Sequence, residues 1–108
     1  MKFNPGNANL NQMMKQAKKM QQQLEQAKAE AEEKVISASA GGGAITLEMN
    51  GRQEVLSLTL KPEVVDPEDL DMLQDLIIAA VNDAIKTSQE MVSSEITKIT
   101  GGFSLPGL

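Results

Sequence analysis

The chain has no cysteine, no histidine, no tryptophan and no tyrosine, and its only aromatics are Phe3 and Phe103. Without cysteine there is no disulfide framework and no thiolate metal site. Without histidine, the commonest general base and the commonest metal ligand are missing as well. Serine and threonine occur with no base in view. The expectation is therefore a protein that is not an enzyme and uses no cofactor, no metal and no small-molecule substrate. No hydrophobic run approaches the roughly 20 residues of a membrane span, and no apolar segment follows Met1-Lys2. This reads as a soluble, cytoplasmic protein.

What is present is aliphatic. Hydrophobic residues make up 41% of 108, which is one domain spanning 1–108. Its core has to be built from Leu, Ile, Val, Ala and seven Met. A chain of this size buries only about two-thirds of its unfolded surface. Sharing apolar surface with a second copy would help, so the composition points to a homodimer.

The net charge of −5 is unevenly spread. Residues 1–34 carry six Lys against four Glu, giving +2, whereas residues 35–108 carry a net −7. Within residues 1–20 there are four Lys (2, 15, 18 and 19) and no acid. Positive charge gathers where the chain begins.

Residues 1–8, with Pro5 and Gly6, have the composition of a flexible lead-in, and residues 103–108 that of a flexible tail. From Leu10 the pattern is heptadic: Leu10, Ala17, Leu24 and Ala31 at a, with Met13, Met20 and Ala27 at d. Strong helix formers fill the remaining positions, which predicts a helix from about Asn9 to Lys34. VISASA (35–40) fits a short strand, and Gly41-Gly42-Gly43 connects it to the next.

Period two then takes over. Ile45, Leu47 and Met49 form one alternating set and Leu56, Leu58 and Leu60 another, with Asn50-Gly51 between them. That dipeptide favours a two-residue type I′ turn, which would pair Met49 with Arg52, Leu47 with Glu54 and Ile45 with Leu56. Two of these pairs set a charge opposite an apolar residue, so the hairpin tip is expected to project beyond the core.

Pro62 ends the third strand. Asp66 then reads as an N-cap, with Pro67 as the first helical residue. Apolar residues at spacings of three and four run from Leu70 to Ile99, until Gly101-Gly102 stops the helix. The predicted fold class is α+β, ordered α-β-β-β-α, with a three-stranded antiparallel sheet between long N- and C-terminal helices. The second helix is longer than three strands can cover, so one of its ends should extend past the sheet.

Lys15, Lys18 and Lys19 fall at positions f, b and c, opposite the apolar seam. A solvated helix face is the plain reading. Against it stands the second half of the same helix, where Glu25/Lys28, Lys28/Glu32 and Glu30/Lys34 are spaced for ion pairing. No acid lies three or four residues from the three lysines, and Lys15/Lys19 is a like-charge pair costing a few tenths of a kcal/mol. Cations near a helix start also oppose the macrodipole. Helix stability does not account for the cluster, while an anionic partner does. The simplest such partner is a phosphate backbone, which Lys meets as a point charge.

The other motifs carry less. No Gly-Lys-Ser/Thr follows the glycine triplet, and it leads into a strand, so it is not a phosphate cradle. Asp69, Asp71, Asp75 and Asp83 form a solvated acidic face rather than a metal site. Such a face would repel nucleic acid. Ala80 and Ala84, flanking Asn82-Asp83, allow a close approach in packing or at a dimer contact.

Taken together, "NLNQMMKQAKKMQQQL", the glycines before "ITLEMNG", "LQDLIIAAVNDAIK" and "TGGFSLPGL" resemble the YbaB/EbfC family of bacterial nucleoid-associated DNA-binding proteins. The resemblance runs in order through nearly the whole chain. It implies the α-β-β-β-α fold, a homodimer with protruding helices, DNA binding of little or modest sequence preference, and no enzymatic activity. Lys15 falls in the family's Met-Lys-Gln-Ala stretch; Asn82, Asp83 and Ala84 in its Asn-Asp-Ala stretch; Gly101, Gly102, Pro106 and Gly107 in its C-terminal elements. The departure is charge, since the second helix offers only Lys86 and Lys98 amid many acids.

The reading that follows is a nucleoid-associated protein of the cytoplasm, a homodimer bound to double-stranded DNA. Lys15, Lys18 and Lys19 would meet phosphates, supported by Lys28 and Lys2. Gln16 and Gln21–Gln23 offer a weak route to base contacts, and shape a stronger one. The main alternative is a protein–protein adaptor in replication or recombination that docks a partner helix on the Leu10–Ala31 seam. A membrane-surface helix fits poorly, because there is no Trp and the apolar face is soft and Ala-rich.

Overall fold

A computed structural model describes the backbone of residues 5–101 and the side chains of residues 9–101. The order is α1 (Pro5–Glu33), β1 (Val35–Ala40), β2 (Ile45–Asn50), β3 (Val55–Leu60), a 3₁₀ turn (Pro62–Val64) and α2 (Leu70–Thr100). The three strands form one antiparallel sheet in the order β1-β2-β3. This is the α-β-β-β-α arrangement that the pattern predicted. Helix α1 already begins at Pro5, inside the stretch read as a lead-in. Proline suits a first helical turn, where its missing N–H has no partner to lose. Lys2 and the tail 103–108 lie outside the described residues.

Helix α2 lies across β1 and β2. Ala80 and Ala84 are fully buried against the sheet, so their small side chains serve close helix–sheet packing within the chain. Ala84 joins Ala38, Leu47 and Met49, while Ala80 joins Ile45 and Val64. The second half of α2 runs past the sheet and packs on the C-terminal half of α1. There the heptad seam is used, with Leu24 and Ala27 half-buried and Ala31 buried. The N-terminal half of α1 projects free of the body. The molecule measures 86 × 20 × 16 Å, with a radius of gyration of 22.0 Å, against about 13 Å for a compact domain of this length.

The hairpin differs from the two-residue turn. Ile45 pairs with Leu60, Leu47 with Leu58 and Met49 with Val55, and a register shift leaves Leu56 as an extra residue on β3. The reason lies in the Asn50 side chain. Its Oδ1 accepts from the amides of Arg52 (2.9 Å) and Glu54 (3.1 Å), and its Nδ2 donates to the Glu54 carboxylate at 2.8 Å. Gln53 takes a left-handed φ of 63°. The longer loop sets apolar residue against apolar residue along the strands. The tip is held, not projecting: the Gly51 amide donates to the Glu32 carbonyl at 3.2 Å. A Cβ at Gly51 would overlap the Ala31 carbonyl, so only glycine allows this approach.

The start of α2 also differs. Asp69, not Asp66, is the N-cap, accepting from the Met72 amide at 3.2 Å. Asp66 instead accepts from the Glu68 amide at 2.9 Å and shapes the preceding turn. At the other end Gly101 closes α2 in the left-handed conformation. Among the described residues, no helix is long and apolar enough to cross a membrane.

Candidate nucleic-acid interface

The lysines are positioned by the part of α1 that leaves the body. Met, Gln, Lys and Ala favour helix strongly, so this arm persists without a surface beneath it. Lys15, Lys18 and Lys19 are all exposed on it. At 100° per residue they fall within an arc of about 100°, spread over about 6 Å of helix axis. Lys28 is exposed as well, but about 13 Å further along the axis and about 80° around from Lys18, the nearest in angle. The helix brings three of the candidates together and sets Lys28 apart.

Elsewhere among the described residues Lys34, Arg52 and Lys98 are tied down, whereas Lys61 and Lys86 are exposed without an ion pair. Lys34 meets Glu95 at 2.8 Å, joined by Lys98 at 3.3 Å, and Arg52 meets Glu33 and Glu54, each at 3.0 Å. Hydrogen bonds from Lys34 and then Lys98 hold the Glu95 carboxyl below its ordinary value. Glu54 is lowered by hydrogen bonds from Asn50 and Arg52. Among the described residues Lys15, Lys18, Lys19 and Lys28 make no ion pair. The helical pairs expected of Lys28 and of Glu30/Lys34 do not form. Lys34 lies just beyond the end of α1 and reaches across to α2, while Glu30 accepts from Gln26 at 3.2 Å. Exposed pairs are worth too little to hold long side chains together. On α2, Lys98 is engaged with Glu95 and Lys86 stands exposed.

Six of the fifteen acids gather at the other end. Glu63, Asp66, Glu68, Asp69, Asp71 and Asp75 surround the start of α2, beyond the sheet from the arm, and all are exposed. Among the described residues no cluster of three or more acids could hold a metal ion. An elongated body with a cationic arm and an anionic far end presents one end to a polyanion and repels it at the other.

Residues 6–103 match the YbaB/EbfC DNA-binding family. The chain belongs to that family. Among YbaB/EbfC relatives, a nucleoid-associated protein of Alkaliphilus metalliredigens is 58% identical over 103 residues, covering 95% of this chain and 90% of that one. A nucleoid-associated protein of Clostridium novyi is 53% identical with the same coverage. One solved structure, an uncharacterized protein of Helicobacter pylori, superposes with a TM-score of 0.69 at 21% identity. That match covers 84% of this chain and 96% of the other. At that identity it speaks for a shared fold alone.

Two features of this family member were not legible in the residues. One is the exposed apolar surface of β3, with Val55 51%, Leu56 53% and Leu58 44% exposed. Only the true hairpin register and the position of α2 reveal it. The other is the Lys34–Glu95–Lys98 link between the helices, which joins residues some 60 apart in sequence.

Proposed function

We propose that this protein is a nucleoid-associated, homodimeric binder of duplex DNA that grips phosphates through Lys15, Lys18 and Lys19 and contributes to chromosome organisation or gene regulation. The observation that carries this reading is a cluster of three lysines without ion pairs on a projecting helix, in a chain whose other charge is mostly negative. Lys28 and Lys2 lend secondary charge. Phosphate contacts orient without reading bases, so selectivity rests on DNA shape and deformability.

Support for a homodimer comes from surface area. The chain exposes 8011 Å², against about 5,800 Å² for a compact monomer of this mass. The uncovered side of β3 offers apolar surface where a second copy can sit, and a standard interface takes about 800 Å² from each partner.

The test is binding to a random duplex across a salt series, wild type beside a Lys15/Lys18/Lys19→Gln variant. Six contacts per dimer give a log–log slope of about −5. The variant should lose most of that slope while staying folded, since removing the Lys15/Lys19 repulsion helps the helix. No binding by wild type at low salt would overturn the reading. The adaptor alternative would then lead, favoured by the exposure of Leu10, Met13 and Met20, and substitutions at Met13 and Met20 would abolish partner capture.

A further inference from the structure

The chain has no thiol, so its thioethers are the sulfurs left for an oxidant to attack. Among the methionines with described side chains, Met49 is buried, Met91 is half-buried, and Met20 and Met72 are 39% and 40% exposed. Met13 and Met14 stand apart at 65% and 62%. Both lie on the projecting half of α1, directly before Lys15. Met13 belongs with Leu10 and Met20 to the half of the seam that α2 leaves bare. Met14 lies beside it, about 40° around the helix from Lys18. The most accessible of these sulfurs are built into the element that carries the lysine cluster.

We propose that Met13 and Met14 form an oxidation site for peroxides, and that their conversion to sulfoxides loosens the arm's hold on phosphate. The inference rests on the DNA-binding reading above. The chemistry needs no catalytic group. A lone pair on the thioether sulfur attacks one oxygen of hydrogen peroxide or an alkyl hydroperoxide, forming an S–O bond as the O–O bond breaks. The sulfur gives up two electrons. The departing hydroxide or alkoxide takes the proton from the transferred oxygen and leaves as water or an alcohol.

Two features couple this change to the lysines. The first is the arm's lack of tertiary support. Leu10 sits three residues before Met13 and four before Met14, the spacings at which apolar pairs strengthen a helix. Turning both thioethers polar removes those pairs, in a segment with no surface beneath it to hold it in place. The second is Lys18. It lies four residues after Met14 and, among the described residues, makes no ion pair. A thioether is a weak acceptor, whereas the sulfoxide oxygen carries partial negative charge. The Lys18 ammonium donates to that oxygen and is drawn away from phosphate. Met72 supplies an internal contrast, since it lies at the acidic start of α2, far from the lysines.

The test treats wild type with graded hydrogen peroxide and follows the sulfoxide at each methionine by peptide mass spectrometry. Binding to a random duplex is measured on the same samples at one fixed salt concentration. Met13 and Met14 should oxidise ahead of Met72, with Met49 last. The Kd should rise several-fold in step with the first two and not with Met72. Helix content by circular dichroism should fall over the same range, and methionine sulfoxide reductases A and B should restore both. A Met13→Leu/Met14→Leu variant keeps helix propensity and apolar bulk, and its affinity should not change through the same treatment. Unchanged affinity with Met13 and Met14 fully oxidised would overturn the inference alone, as would an equal loss in the leucine variant. Untreated wild type that binds no duplex would overturn the DNA-binding reading, and this inference with it.

Discussion

The hydroxyl of Ser88, fully buried on α2, donates a 2.8 Å hydrogen bond to the backbone carbonyl of Asn50 at the end of β2. That carbonyl also accepts from the Gln53 amide at 3.1 Å. The hairpin tip is thereby tied to α2 on one side and, through Gly51, to the end of α1 on the other. Ser88→Ala removes one of two bonds to the carbonyl without leaving it orphaned. The expected cost is about 1 kcal/mol, a fall of about 4–8 °C in Tm for a domain of this size, read by thermal denaturation.

Gly51→Ala should cost more. The added methyl meets backbone, the Ala31 carbonyl and the Glu32 Cα, and neither can rotate away. A loss of about 1–3 kcal/mol is expected for such overpacking. Hydrogen exchange at the Gly51 amide should accelerate beyond what the global loss explains, because the bond to Glu32 breaks first. An unchanged Tm would show that the tip does not dock on α1.

The junction between the helices should respond to acid. Glu95 is held below its ordinary value of 4.5 by Lys34 and then Lys98. A depressed carboxyl contributes stability that is present above the unfolded value and is lost as pH falls through the lowered folded value. The stability of wild type should therefore drop below about pH 4.5, and Glu95→Gln should flatten that part of the profile while matching wild type more closely at low pH. Chemical denaturation at a series of pH values reads this directly. A variant as pH-sensitive as wild type would assign the acid response to other carboxylates.

Leu58→Asp places a charge in the middle of the uncovered side of β3. The residue is 44% exposed in the single chain, so the monomer tolerates the change with little loss. A dimer built on this surface cannot, because an unpaired charge would be buried. Sedimentation velocity should show dimeric wild type and a monomeric variant. Two dimers would place the interface elsewhere.

Lys28→Gln offers a graded check on the interface. Lying off the face of the three clustered lysines, it should shift the salt slope by less than one full phosphate contact, about 0.9, whereas Lys18→Gln should remove close to that amount. Equal effects would mean that DNA wraps further around α1 than one face.

Local pattern along the chain specified the elements and the charge. Helix formers at heptad spacing made α1, alternation made the strands, and spacings of three and four made α2, because local propensity and periodicity are properties of neighbouring residues. The lysine cluster was equally legible, since three side chains on one helix face need no tertiary contact to come together. Contacts between distant parts of the chain fixed the rest. The hairpin register depended on the Asn50 side chain bonding two amides ahead of it, which overrode the preference of Asn-Gly for a two-residue turn. The N-cap moved from Asp66 to Asp69 because Asp66 was taken up by its own turn. The meeting of Lys34 with Glu95, the exposure of β3 and the bare half of the α1 seam all depend on where α2 lies. That position is fixed by packing between residues far apart in the chain, and local pattern carries no record of it.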